Sequence, residues 1–423
     1  MRILFLADNF PPEVNAQASR VFERARLWVQ WGHTVTVLTC APNFPEGKVY
    51  SGYKNHWHRT EEMSGIRVVR VKTFVAPNTG VVLRVLDFLS FMVAAFCAGL
   101  FQPRPDIVVA TSPQFFAAVG GCSLAWVKRR PFVMELSDLW PDSIVAVGLM
   151  KKSLALRLLE RLELFMYARA TAIVAQTPAF KSNLVRRGVP AEKIAVVLNG
   201  VDLERFQPVE RDAELAETWG IAPDEFVVSY IGTLGLAHEL ERVLECAHLL
   251  RDTKVRFLLV GPGADRERLV AKARSMELRN VTFVPFQPKE NILGFWGISN
   301  VALVHLKNTP LFETVIPSKI FEAMAMGLPI LLVSPAGEAS RIVQVEDVGV
   351  WVPAGDLEAF VTSIRLLQGD PGFRERLASN SRLAAPRYSR ERQAREMMSC
   401  LEQAAVPRTT PKVAAAAEFE GPE

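Results

Sequence analysis

The chain has 423 residues, 49% hydrophobic and 22% charged, a globular composition that excludes a collagenous, repetitive or broadly disordered protein. At roughly 150 residues per domain this length asks for two or three domains, and two is the expectation taken forward. The net charge of +4 conceals a division, +9 over residues 1–205 and −5 over 206–423, so the first half suits an anionic lipid surface, a phosphate-bearing acceptor or nucleic acid.

Nucleic acid ranks last among these, because no basic helix interleaved with aromatics and no zinc-finger or RNP-type pattern is present. Cys40, Cys97, Cys122, Cys246 and Cys400 are odd in number, widely spaced and free of any C-x-x-C pair. That usage points to a reducing cytoplasm rather than a disulfide framework. The six histidines show no ligand spacing, His56 and His58 reading as a surface strand pair, so no metal is expected.

In chain order, "MRILFLADNF" has a short apolar run, no small-residue cleavage site and a following Pro-Pro loop, and is expected to be a first strand rather than a signal peptide. "HTVTVLT", "IRVVRV", "DIVVATS", "FVMELSD", "AIVAQT" and "IAVVLN" continue the series, separated by helical patterns. Near-continuous apolar strands alternating with helices predict a parallel, doubly wound sheet. The 14-residue stretch Phe88–Phe101 falls short of the roughly 20 residues of a membrane span. It reads as a core helix first and as an interfacial one second, with Arg84, Arg104 and Lys128 to Arg130 available to anionic lipid.

After Pro208 the pattern restarts with "FVVSYIG", "VRFLLVG", "VTFVPF", "VALVHL" and "PILLVS", which predicts a second sheet of the same class. The polar joint "NGVDLERFQPVERDAEL" puts the boundary near 203–222, giving domains 1–205 and 206–385. A helix over 386–405, capped by Ser389, is expected to pack back toward the first domain. Residues 406–423 are expected to be disordered. In open α/β sheets ligands lie beyond the carboxyl ends of the strands, so the cleft between the two domains is the expected site.

The stretch Thr314–Leu331, "TVIPSKIFEAMAMGLPIL", is the most informative. Pro317 in a first helical turn would place Ser318 and Lys319 where unpaired amides and the positive helix end attract an anion. Glu322 lies about one turn further in, suited to a vicinal diol such as ribose; the competing reading is an ordinary i to i+3 pair with Lys319.

"PSKIFEAMAMGLPIL" resembles the second half of the E-x(7)-E region of the retaining family 4 glycosyltransferases, which have the GT-B fold of two Rossmann-like domains facing across a cleft. "LNGVDLERFQP" is similar to the signature closing that family's first domain. "SYIGTLG", "LLVGPG" and "VTFVPFQP" resemble its nucleotide-side strand ends. "ADNFPPEVNAQASR", "APNFPEGKVYSGY", "DIVVATSPQFF" and "ELSDLWPDSIVAVG" look like a bacterial subgroup that builds surface polysaccharide, including colanic-acid, O-antigen and N-acetyl-L-fucosamine transferases.

The resemblance implies metal-independent transfer of a sugar, an N-acetylated or deoxy hexose from a UDP donor, onto a polyprenyl-diphosphate-linked glycan. It implies retention of configuration and a peripheral place at the inner face of the cell membrane. It assigns Glu322 to the ribose, with Lys319, Ser318, Gly232 and Gly235 on the diphosphate. His238 reads either as a phosphate partner when protonated or as a surface helix residue. Phe286 and Gln287 match the segment whose backbone reads the base, Phe286 alternatively being core. Thr314 stands where the family has its first acid and Glu313 is adjacent, so both are sugar-side candidates. Leu236, Ala237, His238 and Glu239 occupy the place of the usual Arg or Lys. Asp138, at a strand end, is the candidate for positioning the acceptor or reacting sugar, and Asp142 for capping the next helix. Asn15 and Arg20 lie on the acceptor side, Arg20 either reaching the cleft or decorating its helix. A UDP-sugar 2-epimerase and a non-catalytic nucleotide-sugar or lipid-binding scaffold are the alternatives. A dehydrogenase is disfavoured, since "GPGADR" lacks the third glycine of the dinucleotide fingerprint.

Overall fold

The computed structural model describes residues 1–44, 46–76, 81–112, 114–139 and 154–406; Asp142 and the tail 407–423 lie outside them. The first sheet contains β1 (Arg2–Leu6), β2 (Thr34–Cys40), β3 (His58–Met63), β4 (Ile66–Val71), β5 (Ile107–Ser112), β6 (Phe132–Leu136), β7 (Ala172–Ala175) and β8 (Ile194–Val196). Their order is β3-β4-β2-β1-β5-β6-β7-β8, parallel apart from the β3–β4 hairpin. Helices α1 (Ala16–Gln30), α2 (Val81–Leu100), α3 (Phe115–Lys128), α4 (Leu154–Arg169) and α5 (Pro178–Arg186) belong to this domain.

Strands β5 and β6 are buried along their whole length, which is why they read as unbroken apolar runs. Of the histidines read as a surface strand pair, His58 opens β3 and His56 lies before it; the rest of "HRTEEM" went unread, because it is largely exposed and an edge strand with polar faces carries no burial pattern to find.

The second sheet contains β9 (Phe226–Ile231), β10 (Val255–Val260), β11 (Val281–Val284), β12 (Val301–His305), β13 (Ile330–Ser334) and β14 (Gly349–Pro353), in the order β11-β10-β9-β12-β13-β14. Its pairings are all parallel. Strand β14 was also unanticipated, since "GVWVP" is short and bounded by Gly and Pro. Around this sheet lie α6 (Ala213–Thr218), α7 (Glu241–Leu249), α8 (Arg266–Ser275), α9 (Ile292–Gly297), α10 (Lys319–Ala325), α11 (Glu338–Val345), α12 (Leu357–Gly369) and α13 (Pro371–Ala384).

The chain changes cores earlier than the expected boundary. Val197 packs in the first domain and Val201 already in the second, because Val201 pairs with Ser389 in an isolated parallel bridge. Helix α14 (Arg390–Ala405) is capped by the Ser389 hydroxyl, which accepts from Arg392 N at 3.2 Å. It buries Ala394, Met397 and Leu401 in the first domain's core, and the Trp28 indole of α1 donates to the Ala394 carbonyl at 2.9 Å. The two domains are thus tied by a second crossing of the chain.

The first reading of Phe88–Phe101 as a core helix is overturned. Helix α2 runs for 20 residues, and only 17% of its apolar window Leu83–Leu100 is buried. Phe91, Ala95 and Gly99 face inward. A Cβ built on Gly99 would lie 2.4 Å from the Leu124 side chain, so α2 and α3 approach closely there.

Candidate functional site

The site begins where β9 ends. Gly232 turns the chain at φ +141°, and a Cβ on Gly261, after β10, would lie 2.2 Å from the Gly232 carbonyl oxygen. No side chain fits between these loops, so backbone lines this wall. Gly235 precedes a single 3-10 turn, Leu236–His238. His238 is half-buried in that turn rather than on the surface of a helix, and without ligand it is neutral at physiological pH. Its ring packs 5.7 Å from that of Tyr230, and its pKa is pushed down to about 4 by burial and by Lys319. His305 Nδ1 donates to the His238 carbonyl at 2.7 Å. The two histidines therefore brace the β9 and β12 loops against each other as neutral groups.

Opposite that wall stands α10. Ser318 is its N-cap without a side-chain cap bond, and Pro317 precedes the helix rather than opening it. Ile320 N already donates to the Pro317 carbonyl at 3.1 Å, and Phe321 N and Glu322 N donate to that of Ser318 at 3.0 and 3.2 Å. The expected set of unpaired amides is therefore reduced, and the stronger anion-attracting group is the Lys319 side chain.

Lys319 Nζ lies 3.5 Å from the centroid of the Tyr230 ring. It is shielded from solvent and has no hydrogen-bond partner, so the ordinary ion pair with Glu322 is not formed. A Cβ on Gly232 would be 2.9 Å from this ammonium. Burial pushes the Lys319 pKa down to about 7. The desolvated ammonium is held by a ring face and, through space, by the Glu322 carboxylate, with no hydrogen bond to satisfy it. This is the cation that the β9 loop itself does not supply.

Glu322 sits one turn further along, half-buried, with Ala323 and Ala325 buried beside it. Burial raises its pKa, and Lys319, Lys289 and Arg390 oppose that rise. The last two were not anticipated. Lys289, from the loop after β11, crosses to the first domain and donates to Ser19 Oγ at 2.5 Å. Arg390, at the start of α14, pairs with Glu23 of α1 at 2.6 Å and with Asn199. Lys289 was visible beside "FQP", but nothing local marked Arg390, which arrives through the final crossing.

The sugar-side candidates are placed differently from one another. Glu313 ends a 3-10 turn and is exposed, its backbone so close to Gly337 that a Cβ there would meet the Glu313 carbonyl at 2.1 Å. Thr314 Oγ1 donates to the Leu311 carbonyl at 2.8 Å, and its own carbonyl accepts from Thr177 Oγ1 at 2.9 Å across the domains. The Thr314 hydroxyl thus holds its loop. Phe286 is 58% exposed, which overturns its core reading, and Gln287 accepts from Asn291 Nδ2 at 3.3 Å.

In the first domain Asp138 lies half-buried two residues past β6. Arg20 does not decorate its helix. It is 3% exposed and ion-paired with Glu135 of β6 at 3.1 Å, and it donates to Ser137 Oγ. Arg24 pairs with the same Glu135 oxygen. Two guanidiniums share one carboxylate, with Arg24 Nη1 and Glu135 Oε2 left without partners. Asn15 is the α1 N-cap: its Oδ1 accepts from Ala18 N at 2.9 Å and its Nδ2 donates to Asn9 at 2.6 Å. That geometry makes it a loop brace. Among the described residues no group of three His, Cys, Asp or Glu is placed to hold a metal.

Two family models match the chain, the glycosyl transferase 4-like domain over residues 15–200 and the glycosyl transferases group 1 over 212–384. It is 26% identical over 374 residues to the putative colanic acid biosynthesis glycosyl transferase WcaI of Escherichia coli, covering 86% of this chain and 91% of that protein. It is 25% identical to a GDP-mannose-dependent alpha-mannosyltransferase of Mycobacterium tuberculosis, over 85% of each. Among solved structures, Anabaena HepE in complex with UDP-glucose superposes with a TM-score of 0.71 at 18% identity, over 95% of this chain and 99% of that one.

Proposed function

This chain belongs to the family 4 glycosyltransferases of the GT-B fold, and from that membership we propose that it transfers an N-acetylated or deoxy hexose from a UDP-sugar, with retention, to a polyprenyl-diphosphate-linked glycan. The reading places it in surface-polysaccharide biosynthesis, working peripherally at the inner face of the cell membrane. Its likeness to WcaI supports that setting. The observation that carries it is the buried, unpartnered Lys319 ammonium facing the Gly232 backbone, with Glu322 one helical turn away.

In this reading the donor diphosphate lies between the β9 loop and α10. Lys319 takes the charge that grows on the leaving phosphate. Glu322 accepts from the ribose hydroxyls and so fixes how far the anomeric carbon extends into the cleft. Asp138 and the Thr314 loop, from opposite domains, border the place of the sugar and hold the acceptor hydroxyl on the leaving group's face. The charge stabilisation asked of the site is supplied by protein groups, so the proposal requires no metal.

The test incubates purified protein with UDP- and GDP-sugars and a polyprenyl-diphosphate-sugar acceptor, with and without EDTA, and determines the anomeric configuration of the product. A GDP-sugar alone being used refutes the donor assignment, and loss of transfer with EDTA refutes metal independence. An inverted product refutes retention. Epimerised donor without transfer, or no turnover with any pair, refutes the transferase reading.

A further inference from the structure

The outer face of the helix layer formed by α2, α3 and α4 is apolar and has no partner among the described residues. On α2, Leu83, Leu86, Val93, Cys97 and Leu100 are exposed, and their spacing of three, seven, four and three residues puts them on one stripe. Just past its end Phe101 is 87% exposed, and Trp126 on α3 is 76% exposed. Leu158 and Phe165 extend the surface onto α4. Scattered exposed leucines are ordinary, whereas a continuous stripe ending in two aromatics is not.

The charge around this surface is one-sided. Residues 81–104, 115–130 and 154–169 contain eight Arg or Lys against three acids. Of the acids, Glu163 is buried and paired with Arg187, and burial together with repulsion from Asp8 pushes the Asp87 pKa up to about 7, so its negative charge is weakened. The cations gather where the aromatics are: Lys128 caps α2 by donating to the Leu100 and Gln102 carbonyls at 3.1 and 2.9 Å, its pKa lowered by burial and by the charge of Arg104. Arg129 is exposed beside it.

We propose that this face lies on an anionic lipid surface, with Phe101 and Trp126 inserted among the headgroups and the surrounding cations on lipid phosphates. The inference rests on the lipid-linked acceptor proposed above and names the surface that would meet it. Helix α2 is long and apolar enough to cross a bilayer, but Phe91 and Ala95 belong to the first domain's core and Gly99 is pressed against Leu124. Crossing would strip that core, whereas lying flat leaves it intact. Helix α2 is tied to the loop beyond the carboxyl end of β4, where Ser90 Oγ accepts from Phe74 N at 2.7 Å. Docking by this face thus brings the first domain's side of the cleft to the membrane.

The test is sedimentation of the full chain with phosphatidylglycerol-containing vesicles and with pure phosphatidylcholine vesicles, for the wild type, F101S/W126S and R104E/R129E. Wild-type protein is expected to bind anionic vesicles at least tenfold more tightly than neutral ones, and each double variant to lose tenfold or more. Thermal melting and transfer to a short-chain, water-soluble acceptor should be unchanged in both variants. Equal binding by wild type and variants, or no wild-type binding, overturns the proposal. So does a lipid-free dimer that F101S/W126S dissociates, since a second copy would then cover the face. Vesicle binding that behaves as expected alongside absent transfer to every acceptor supports the docking face and refutes the catalytic reading, so the two failures are distinguishable.

Discussion

Replacing Lys319 by methionine should weaken donor binding and stabilise the empty protein at once. The ammonium is buried, unpartnered and held at a pKa of about 7 in place of 10.5. That displacement corresponds to a penalty of about 5 kcal/mol at neutral pH as an upper bound. Methionine keeps the aliphatic stem and removes the charge; losing the contact with Tyr230 returns about 2 kcal/mol, leaving a gain of about 3 kcal/mol. The unfolded chain binds the extra proton between pH 7 and 10.5, so wild-type stability should rise with pH across that window, and the variant should lack this rise. Removing the partner of a buried diphosphate charge costs about 2–4 kcal/mol, or roughly 30- to 700-fold in affinity. Only the protonated amine binds, so the wild-type Kd should climb about tenfold per pH unit above 7. Calorimetry with UDP and with a UDP-sugar, together with urea unfolding at pH 7 and 9, reads all of these quantities. A Lys319→Met protein that binds donor within threefold of wild type, or that is less stable, refutes the assignment and makes the lysine structural.

Glu322→Gln should raise the donor Kd by roughly 5- to 100-fold, as expected for a lost charged hydrogen bond, and leave the affinity for inorganic pyrophosphate unchanged; equal effects on both ligands would contradict a ribose role. His238→Gln should leave the pH profile of donor binding between 5 and 9 as it is, because the imidazole is already neutral there; a profile that changes would show that His238 titrates in the complex. Glu135→Gln leaves Arg20 and Arg24 buried without their counter-charge and should cost about 3–5 kcal/mol in urea unfolding, an effect absent if water enters that network. Gly261→Ala drives a Cβ to 2.2 Å from the Gly232 carbonyl and should reduce donor affinity, read by the same calorimetry.

The fold was largely legible in the chain because each central strand is buried on both faces and so appears as a continuous apolar run, as in "DIVVATS" and "FVVSYIG". The strands least legible, β3, of which only His58 was read as strand, and β14, are an exposed edge and a five-residue segment framed by Gly and Pro, where burial leaves no pattern. Helix α2 was misjudged in the opposite direction. Its composition is that of a core helix, and only the packing against α3 reveals how much of it remains outside.

For the site, "PSKIFEAMAMGLP" was enough to single out Lys319, Glu322 and the glycine turns around them, because a helix start and a strand end are local in sequence. What each side chain does there depended on its tertiary neighbours. Ring contact with Tyr230 and burial, rather than the helix end, make Lys319 a cation without a hydrogen-bond partner. A carbonyl of the neighbouring loop turns His238 into a neutral brace. Arg390 reaches Glu23 beside Glu322 only because the chain crosses between the domains a second time. Electrostatics acts through space, so the sequence by itself determined which charged groups exist and which turns present them, and the assembled cleft decided which were left unpaired for a ligand.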